Sequence, residues 1–227
     1  MLNPPVNLVI FDLDGTLAHT APQIALGVQG ALTRNNLPVP GFDRIVGYVG
    51  NGADMLLKRA ITDCFDFREE DIDPEVFAKV KKDYRECYMK EIGGNFQLYP
   101  GVRETLQALK EQDFKLAIAT NKPDCYLKPW LQAAELLSVF DIAVGSGVVP
   151  FNKPDPAILL YICTALGVAP CNALMVGDSC NDILGARNAG MRSVGLTYGY
   201  NYLRPLQDYQ PDYVFDHFNE LKNLLIG

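Results

Sequence analysis

The chain has 227 residues, 48% hydrophobic and 21% charged, enough for one good core and a smaller accessory unit. A formal net charge of −7 with no basic stripe excludes nucleic acid as a general partner. No apolar stretch approaches bilayer length, so no membrane span is expected.

The first predicted element is a strand. An apolar run rich in β-branched residues, Val6-Asn7-Leu8-Val9-Ile10-Phe11, stops at Asp12-Leu13-Asp14-Gly15-Thr16. It reads as a buried strand delivering carboxylates to its C-terminal tip, where open α/β sheets hold ligands. In extended chain Asp12 and Asp14 are i and i+2, so both side chains leave one face. Gly15 permits a sharp turn there. An Asx turn that merely ends a strand would also set Asp beside Gly, so the later stretches have to decide.

Pro22 to about Asn35 reads as a helix, with Ile24, Ala25, Val28, Ala31 and Leu32 at helical spacing and Pro38-Val39-Pro40-Gly41 breaking it. From Phe42 to Tyr88 only helical patterns occur. One runs from Asp54 to Ile61, and another from Pro74 past Tyr84 with Val76, Phe77, Val80 and Tyr84 as its stripe. A helical insert over residues 19–95 is therefore expected, with the core formed by residues 1–18 and 96–227. Within the insert, Gly50-Asn51-Gly52 ahead of a helix could offer N–H groups to a small anion, or could be a plain helix–helix turn. Arg44, Lys58 and Arg59 could serve instead, although such charges usually solvate a helix face.

Tyr99-Pro100-Gly101 closes the insert, and strands and helices then alternate. The strands are Phe114–Ala119, ending at Thr120-Asn121-Lys122-Pro123; Phe140–Val144; Ala173–Val176, running into Gly177-Asp178-Ser179; Ser193–Leu196; and Tyr213–Phe215. Helices are expected over Val102–Gln112, Tyr126–Leu136, Pro154–Leu166, about Asp182–Ala189 and the tail Phe218–Ile226. Short connections between alternating elements imply an α/β fold, a doubly wound parallel sheet covered on both faces. The N-terminus has no basic segment leading into an apolar run, so no signal peptide is expected. The six scattered cysteines lack a C-x-x-C pair and read as reduced thiols of a cytoplasmic protein.

In a doubly wound sheet the strand ends converge. Here they bring Asp12 and Asp14, Thr120 and Asn121, Lys153-Pro154, and Asp178 with Asp182 to one rim. Acidic groups gathered this way repel one another unless a cation lies between them, and hard oxygen ligands beside a phosphate site suit Mg²⁺. Lys153, the Thr120 hydroxyl and the Asn121 amide would hold a phosphate dianion. Asp12, ionised at neutral pH, would attack phosphorus. Asp14 would protonate the leaving alkoxide and then take a proton from water. Asp178 would be the main metal carboxylate, with Asp12 and the backbone carbonyl of Asp14 as further ligands. Taken singly, Thr120 reads as a turn residue, Lys153 as a surface lysine and Asp182 as a helix N-terminal charge. Their shared position just past a strand is what distinguishes them.

Asp12-Leu13-Asp14-Gly15-Thr16, Thr120-Asn121, Lys153-Pro154 and Gly177-Asp178-Ser179-Cys180-Asn181-Asp182 resemble, in order, the four signature motifs of the haloacid dehalogenase-like hydrolases. The resemblance spans nearly the whole chain. It implies a Rossmann-like core, Mg²⁺, an aspartyl-phosphate route and a mobile helical cap, and Asp14 favours a phosphatase over a dehalogenase. Val49-Gly50-Asn51-Gly52-Ala53-Asp54, Thr120-Asn121-Lys122-Pro123 and Ser193 to Tyr202 are similar to the bacterial branch that acts on 2-phosphoglycolate. That likeness implies release of glycolate and phosphate. His19-Thr20 departs from the Asp-Ser that usually continues the first motif, and His19 is expected to act at the hinge or surface.

The alternatives are a sugar-phosphate phosphatase, a β-phosphoglucomutase-like transferase, and a non-catalytic sensor, which could dispense with Asp12 or Asp14. The expected partner is a small phosphomonoester, and the chain is expected to be a monomer or homodimer.

Overall fold

Strand β1 (Leu8–Phe11) is buried along its whole length. Val9 and Phe11 face one apolar core with Ile118, Val176 and Leu196, while Leu8 and Ile10 face another with Ala117, Met175 and Ile162. A strand covered on both sides must be apolar at every position, which is why it reads as an unbroken run. These and the following features come from a computed structural model, which describes residues 2–202 and 204–227.

After β1 the chain forms the short strand β2 (Ala18–His19), then helices α1 (Ala21–Arg34), α2 (Phe42–Gly47), α3 (Ala53–Thr62) and α4 (Pro74–Glu91). Pro22 sits in the first turn of α1, where its missing N–H costs nothing. Asp73 caps α4, its carboxylate accepting the N–H groups of Glu75 and Val76. Strand β3 (Gln97–Leu98) then pairs antiparallel with β2. Two residues per strand are too few to give an alternation signal, so this ribbon was not expected.

The rest alternates: α5 (Val102–Glu111), β4 (Lys115–Pro123), α6 (Leu127–Ala133), β5 (Ile142–Ser146), α7 (Ala157–Leu166), β6 (Ala173–Gly177), α8 (Cys180–Ala189), β7 (Arg192–Leu196), β8 (Tyr213–Phe215) and α9 (Glu220–Leu225). The main sheet has the order β5-β4-β1-β6-β7-β8, and all its pairings are parallel. The chain moves outward from β1 through β4 to β5, then returns to the far side of β1 for β6. Such a reversal opens a crevice at the carboxyl ends of the central strands. Strand β4 is longer than expected. Its pairing with β5 shifts register between Ala119 and Pro123, so the chain stays extended through Thr120-Asn121-Lys122.

One buried polar hub joins α1 to the rest. Gln23, with no exposed surface, accepts hydrogen bonds from Tyr88 Oη at 3.0 Å and Trp130 Nε1 at 3.1 Å. It donates to the Gly94 carbonyl at 2.8 Å. Every donor and acceptor is matched, as a buried amide requires. No described helix is long and apolar enough to cross a membrane.

Candidate active site

The site grows from the end of β1. The Asp12 N–H donates to the Val176 carbonyl at 2.9 Å, which continues the ladder onto β6 and holds Asp12 rigidly. Beyond it the backbone turns: Leu17 N–H returns to the Leu13 carbonyl at 3.0 Å and Gly15 N–H reaches the Ala18 carbonyl at 2.9 Å. Gly15 has φ +91°, and a side chain there would collide with the Asp178 carboxylate and the Tyr200 ring. Past this turn Asp14 is held by side chains. Its carboxylate accepts from Thr20 Oγ1 at 2.7 Å and from Lys122 Nζ at 2.8 and 3.0 Å.

Lys153 is buried beside Asp12. Its Nζ lies 3.0 Å from Asp12 Oδ1, donates to Asp182 Oδ1 at 2.6 Å and donates to the Ala119 carbonyl at 2.6 Å. Burial alone would lower its pKa, but the Asp12 and Asp182 carboxylates outweigh burial and raise it. Asn121 braces this lysine. Its side chain accepts from the Lys153 N–H at 2.9 Å and donates to the Lys153 carbonyl at 3.0 Å and the Gly50 carbonyl at 2.9 Å. Thr120 is buried, its Oγ1 accepting the Lys122 N–H at 3.3 Å.

Two more carboxylates follow β6. Asp178 accepts from Thr16 Oγ1 at 2.6 Å and from the Tyr200 N–H at 2.7 Å. Asp182 accepts from the Ser179 N–H at 3.0 Å and Oγ at 2.8 Å as part of a capping box at the start of α8. Its role is thus both to start that helix and to anchor Lys153. Burial raises the Asp178 carboxyl well above the usual carboxylate range, and the Asp12 and Asp182 charges add to this. Burial likewise pushes Asp12 up to about 6, with Lys153 opposing and Asp182 and Asp14 reinforcing.

Asp12, Asp178 and Asp182 each present an oxygen within 4.8 Å of the others. Asp182 is saturated by Lys153 and Ser179. Asp12 Oδ1 is buried with no hydrogen-bond donor of good geometry, although the Lys153 ammonium is close enough for an ion pair. Asp178 accepts one hydrogen bond on each oxygen and Asp12 Oδ1 none of good geometry, against three on Asp182. The Asp12–Asp178 pair therefore keeps the most lone pairs, and its hard oxygens fit a divalent cation that retains several waters. The Asp14 carboxylate is outside this cluster, turned toward Lys122 and Thr20.

A cleft of about 600 Å³ including its mouth lies over these groups. It is lined by Asp12, Asp14, Thr120, Asn121, Lys122 and Asp178 on the sheet side, and by Gly50, Gly52, Ala53 and Leu56 from the helical insert. Gly50, at φ +130°, has no room for a side chain against Tyr202 Oη, and its carbonyl accepts from both Asn121 and Asn181. The Asn51 side chain is not part of this wall; it accepts from Arg59 Nη1 and Tyr202 Oη, each at 3.0 Å. Arg44 and Lys58 are paired with Asp63 and Glu69. His19 ends β2, with its Nδ1 2.8 Å from Tyr200 Oη, which also accepts the Ala21 N–H at 3.0 Å.

The residue pattern also matches known proteins. The profile of the haloacid dehalogenase-like hydrolase family matches residues 6–190. The chain belongs to the haloacid dehalogenase-like hydrolases. Among relatives of this hydrolase, a phosphoglycolate phosphatase of Mannheimia succiniciproducens is 40% identical over 224 residues, covering 99% of this chain and all of that one. A phosphoglycolate phosphatase of Haemophilus influenzae is 39% identical, with 99% of this chain and 100% of its own length covered. The crystal structure of a predicted phosphoglycolate phosphatase from Haemophilus somnus superposes with a TM-score of 0.90 at 38% identity, covering 96% of this chain and 97% of that one.

Sequence reasoning did not single out Lys122, Thr20 or Tyr200 in this hydrolase. Lys122 had a usable signal: on an extended β4 it is two residues past Thr120, hence on the same face. Tyr200 had none, since it meets His19 across 181 positions of chain.

Proposed function

We propose that this hydrolase is a Mg²⁺-dependent phosphatase that converts 2-phosphoglycolate to glycolate and inorganic phosphate through an aspartyl-phosphate at Asp12. The observation that carries the reading is one cleft holding two carboxylates in different settings. Asp12 continues the β1–β6 ladder and lies beside Lys153, while the Asp14 carboxylate, two residues on in the turn, is held by Lys122 and Thr20. Such a pair separates nucleophile from acid–base group. The substrate is supported by the relatives named phosphoglycolate phosphatase that match over the whole chain.

In this reading the Asp12 carboxylate attacks phosphorus and the bond to the leaving oxygen breaks. Asp14 gives that oxygen its proton, releasing glycolate. Asp14 then takes a proton from the water that attacks phosphorus, which frees phosphate and restores Asp12. Lys153, the Thr120 hydroxyl and the Asn121 backbone N–H offset the charge of the phosphoryl oxygens. Asp12 and Asp178, with the backbone carbonyl of Asp14, would hold Mg²⁺, which supplies further neutralisation of the phosphoryl group when bound. Residues 19–95 act as a cap, with Gly50 and Gly52 at the rim and the loop amides near the substrate carboxylate.

The test is phosphate release from phosphoglycolate, hexose phosphates and nucleotides, with and without Mg²⁺, for the wild type and Asp12→Asn. Phosphoglycolate should be preferred, chelation should abolish turnover, and Asp12→Asn should lose at least about a thousandfold. Far better turnover of hexose 1-phosphates would overturn the substrate, and undiminished Asp12→Asn the nucleophile.

A further inference from the structure

Among the described residues lining the cleft, Asp12, Asp14 and Asp178 are acidic and Lys122 is the one basic side chain. Lys153 stays behind Asp12, tied to Asp182 and the Ala119 carbonyl. The buried cation of the insert, Arg59, is turned away; its guanidinium lies 3.8 Å from the Phe65 ring centre and donates to Asn51 Oδ1. With Lys153 assigned to the phosphoryl group, recognition of a substrate's other anionic end by a charged side chain falls to Lys122.

Its surroundings suit that task. The side chain is only 4% exposed, and its Nζ is 4.8 Å from the centre of the Tyr88 ring. Tyr84, Tyr126, Ile24 and Leu56 make the neighbouring wall largely apolar, so a charge pair formed there is weakly screened. An ammonium carries three N–H donors. Two are directed at the Asp14 oxygens, at 2.8 and 3.0 Å, which leaves one for another acceptor.

We propose that Lys122 selects the leaving group by binding a carboxylate carried next to the oxygen that Asp14 protonates. The inference rests on the phosphatase reading above and names the residue that recognises the non-reacting end of the substrate. The spacing agrees. Asp14 and Lys122 are one hydrogen bond apart, and in 2-phosphoglycolate one methylene separates the bridging oxygen from the carboxyl group. A substrate placed with its bridging oxygen at Asp14 brings its carboxylate to the ammonium. An ester of the same length with a neutral end gains nothing from Lys122 and leaves its third donor unmatched.

The experiment compares kcat/KM for 2-phosphoglycolate and 2-hydroxyethyl phosphate, with Mg²⁺ present, in the wild type, Lys122→Gln and Lys122→Arg. The ratio of the two values is the readout, because loss of the Asp14 partner alone slows both esters alike. The wild type should favour phosphoglycolate by about 30-fold or more, the factor that removing one partner of a buried charge pair represents. Lys122→Gln should bring the ratio down to within a few-fold of one, and Lys122→Arg should retain most of it. An unchanged ratio in Lys122→Gln, or a wild type with no preference, overturns the inference while leaving the phosphatase reading intact. Should Lys122→Gln not fold, the wild-type preference and the Lys122→Arg ratio still decide. Hydrolysis of neither ester, with turnover of other phosphomonoesters, would sink the phosphoglycolate assignment and this inference with it.

Discussion

Replacing Lys153 by methionine keeps most of the side-chain volume and removes the charge. In the wild type this ammonium sits 3.0 Å from Asp12 Oδ1 and 2.6 Å from Asp182 Oδ1 with almost no exposed surface. Its loss leaves the buried Asp182 and the half-buried Asp12 facing Asp178 without their ammonium partner, and breaking a buried pair this way costs about 3–5 kcal/mol. For a chain of this size each kcal/mol lowers Tm by about 2–4 °C, so metal-free Lys153→Met should melt roughly 6–20 °C below the wild type at pH 8. The sign with pH is fixed by Asp12. Its carboxyl already titrates at about 6 because of burial, with Lys153 opposing; without Lys153 it moves higher. Below pH 5 Asp12 is protonated and repels nothing, so the penalty should shrink there. Thermal unfolding at both pH values, with chelator present, measures this. A loss under about 1 kcal/mol at pH 8, or one that grows as pH falls, would refute the assignment of Lys153 as counter-ion to Asp12.

Metal-free wild type should itself lose stability as pH rises from about 4 to about 6. Across that window folded Asp12 keeps a proton that the unfolded carboxyl, at 3.8, has released, so the change is on the order of 3 kcal/mol. Added Mg²⁺ should then raise Tm more at pH 7.5 than at pH 5; equal shifts would argue against Asp12 and Asp178 as ligands. Gln23→Leu strands Tyr88 Oη, Trp130 Nε1 and the Gly94 carbonyl. At about 1–3 kcal/mol per unmatched group it should cost about 3 kcal/mol or more in urea unfolding. A cost below 1 kcal/mol would mean the hub is not rigid.

The fold was readable because β1 and β6 are buried on both faces and so carry unbroken apolar runs, while proline and glycine mark most of the joints. The order of polar strand ends identified Asp12, Lys153 and Asp178, which the structure does gather. What escaped was of two kinds. The β2–β3 ribbon is two residues per strand, too short for any period to register. The partners of the carboxylates are distant in sequence: Thr16 to Asp178 spans 162 positions and Lys122 to Asp14 spans 108. Asn51 was read for the backbone N–H groups of its glycine-flanked loop; that its side chain would serve Arg59 and Tyr202 had no local signal.

A covalent phosphoryl group on Asp12 is the claim on which the mechanism turns. Asp14→Asn, mixed with phosphoglycolate and Mg²⁺ and quenched in acid, should carry the mass of one added phosphoryl group on the peptide containing Asp12. Continued phosphate release with no labelled peptide, or label on a different residue, would contradict it.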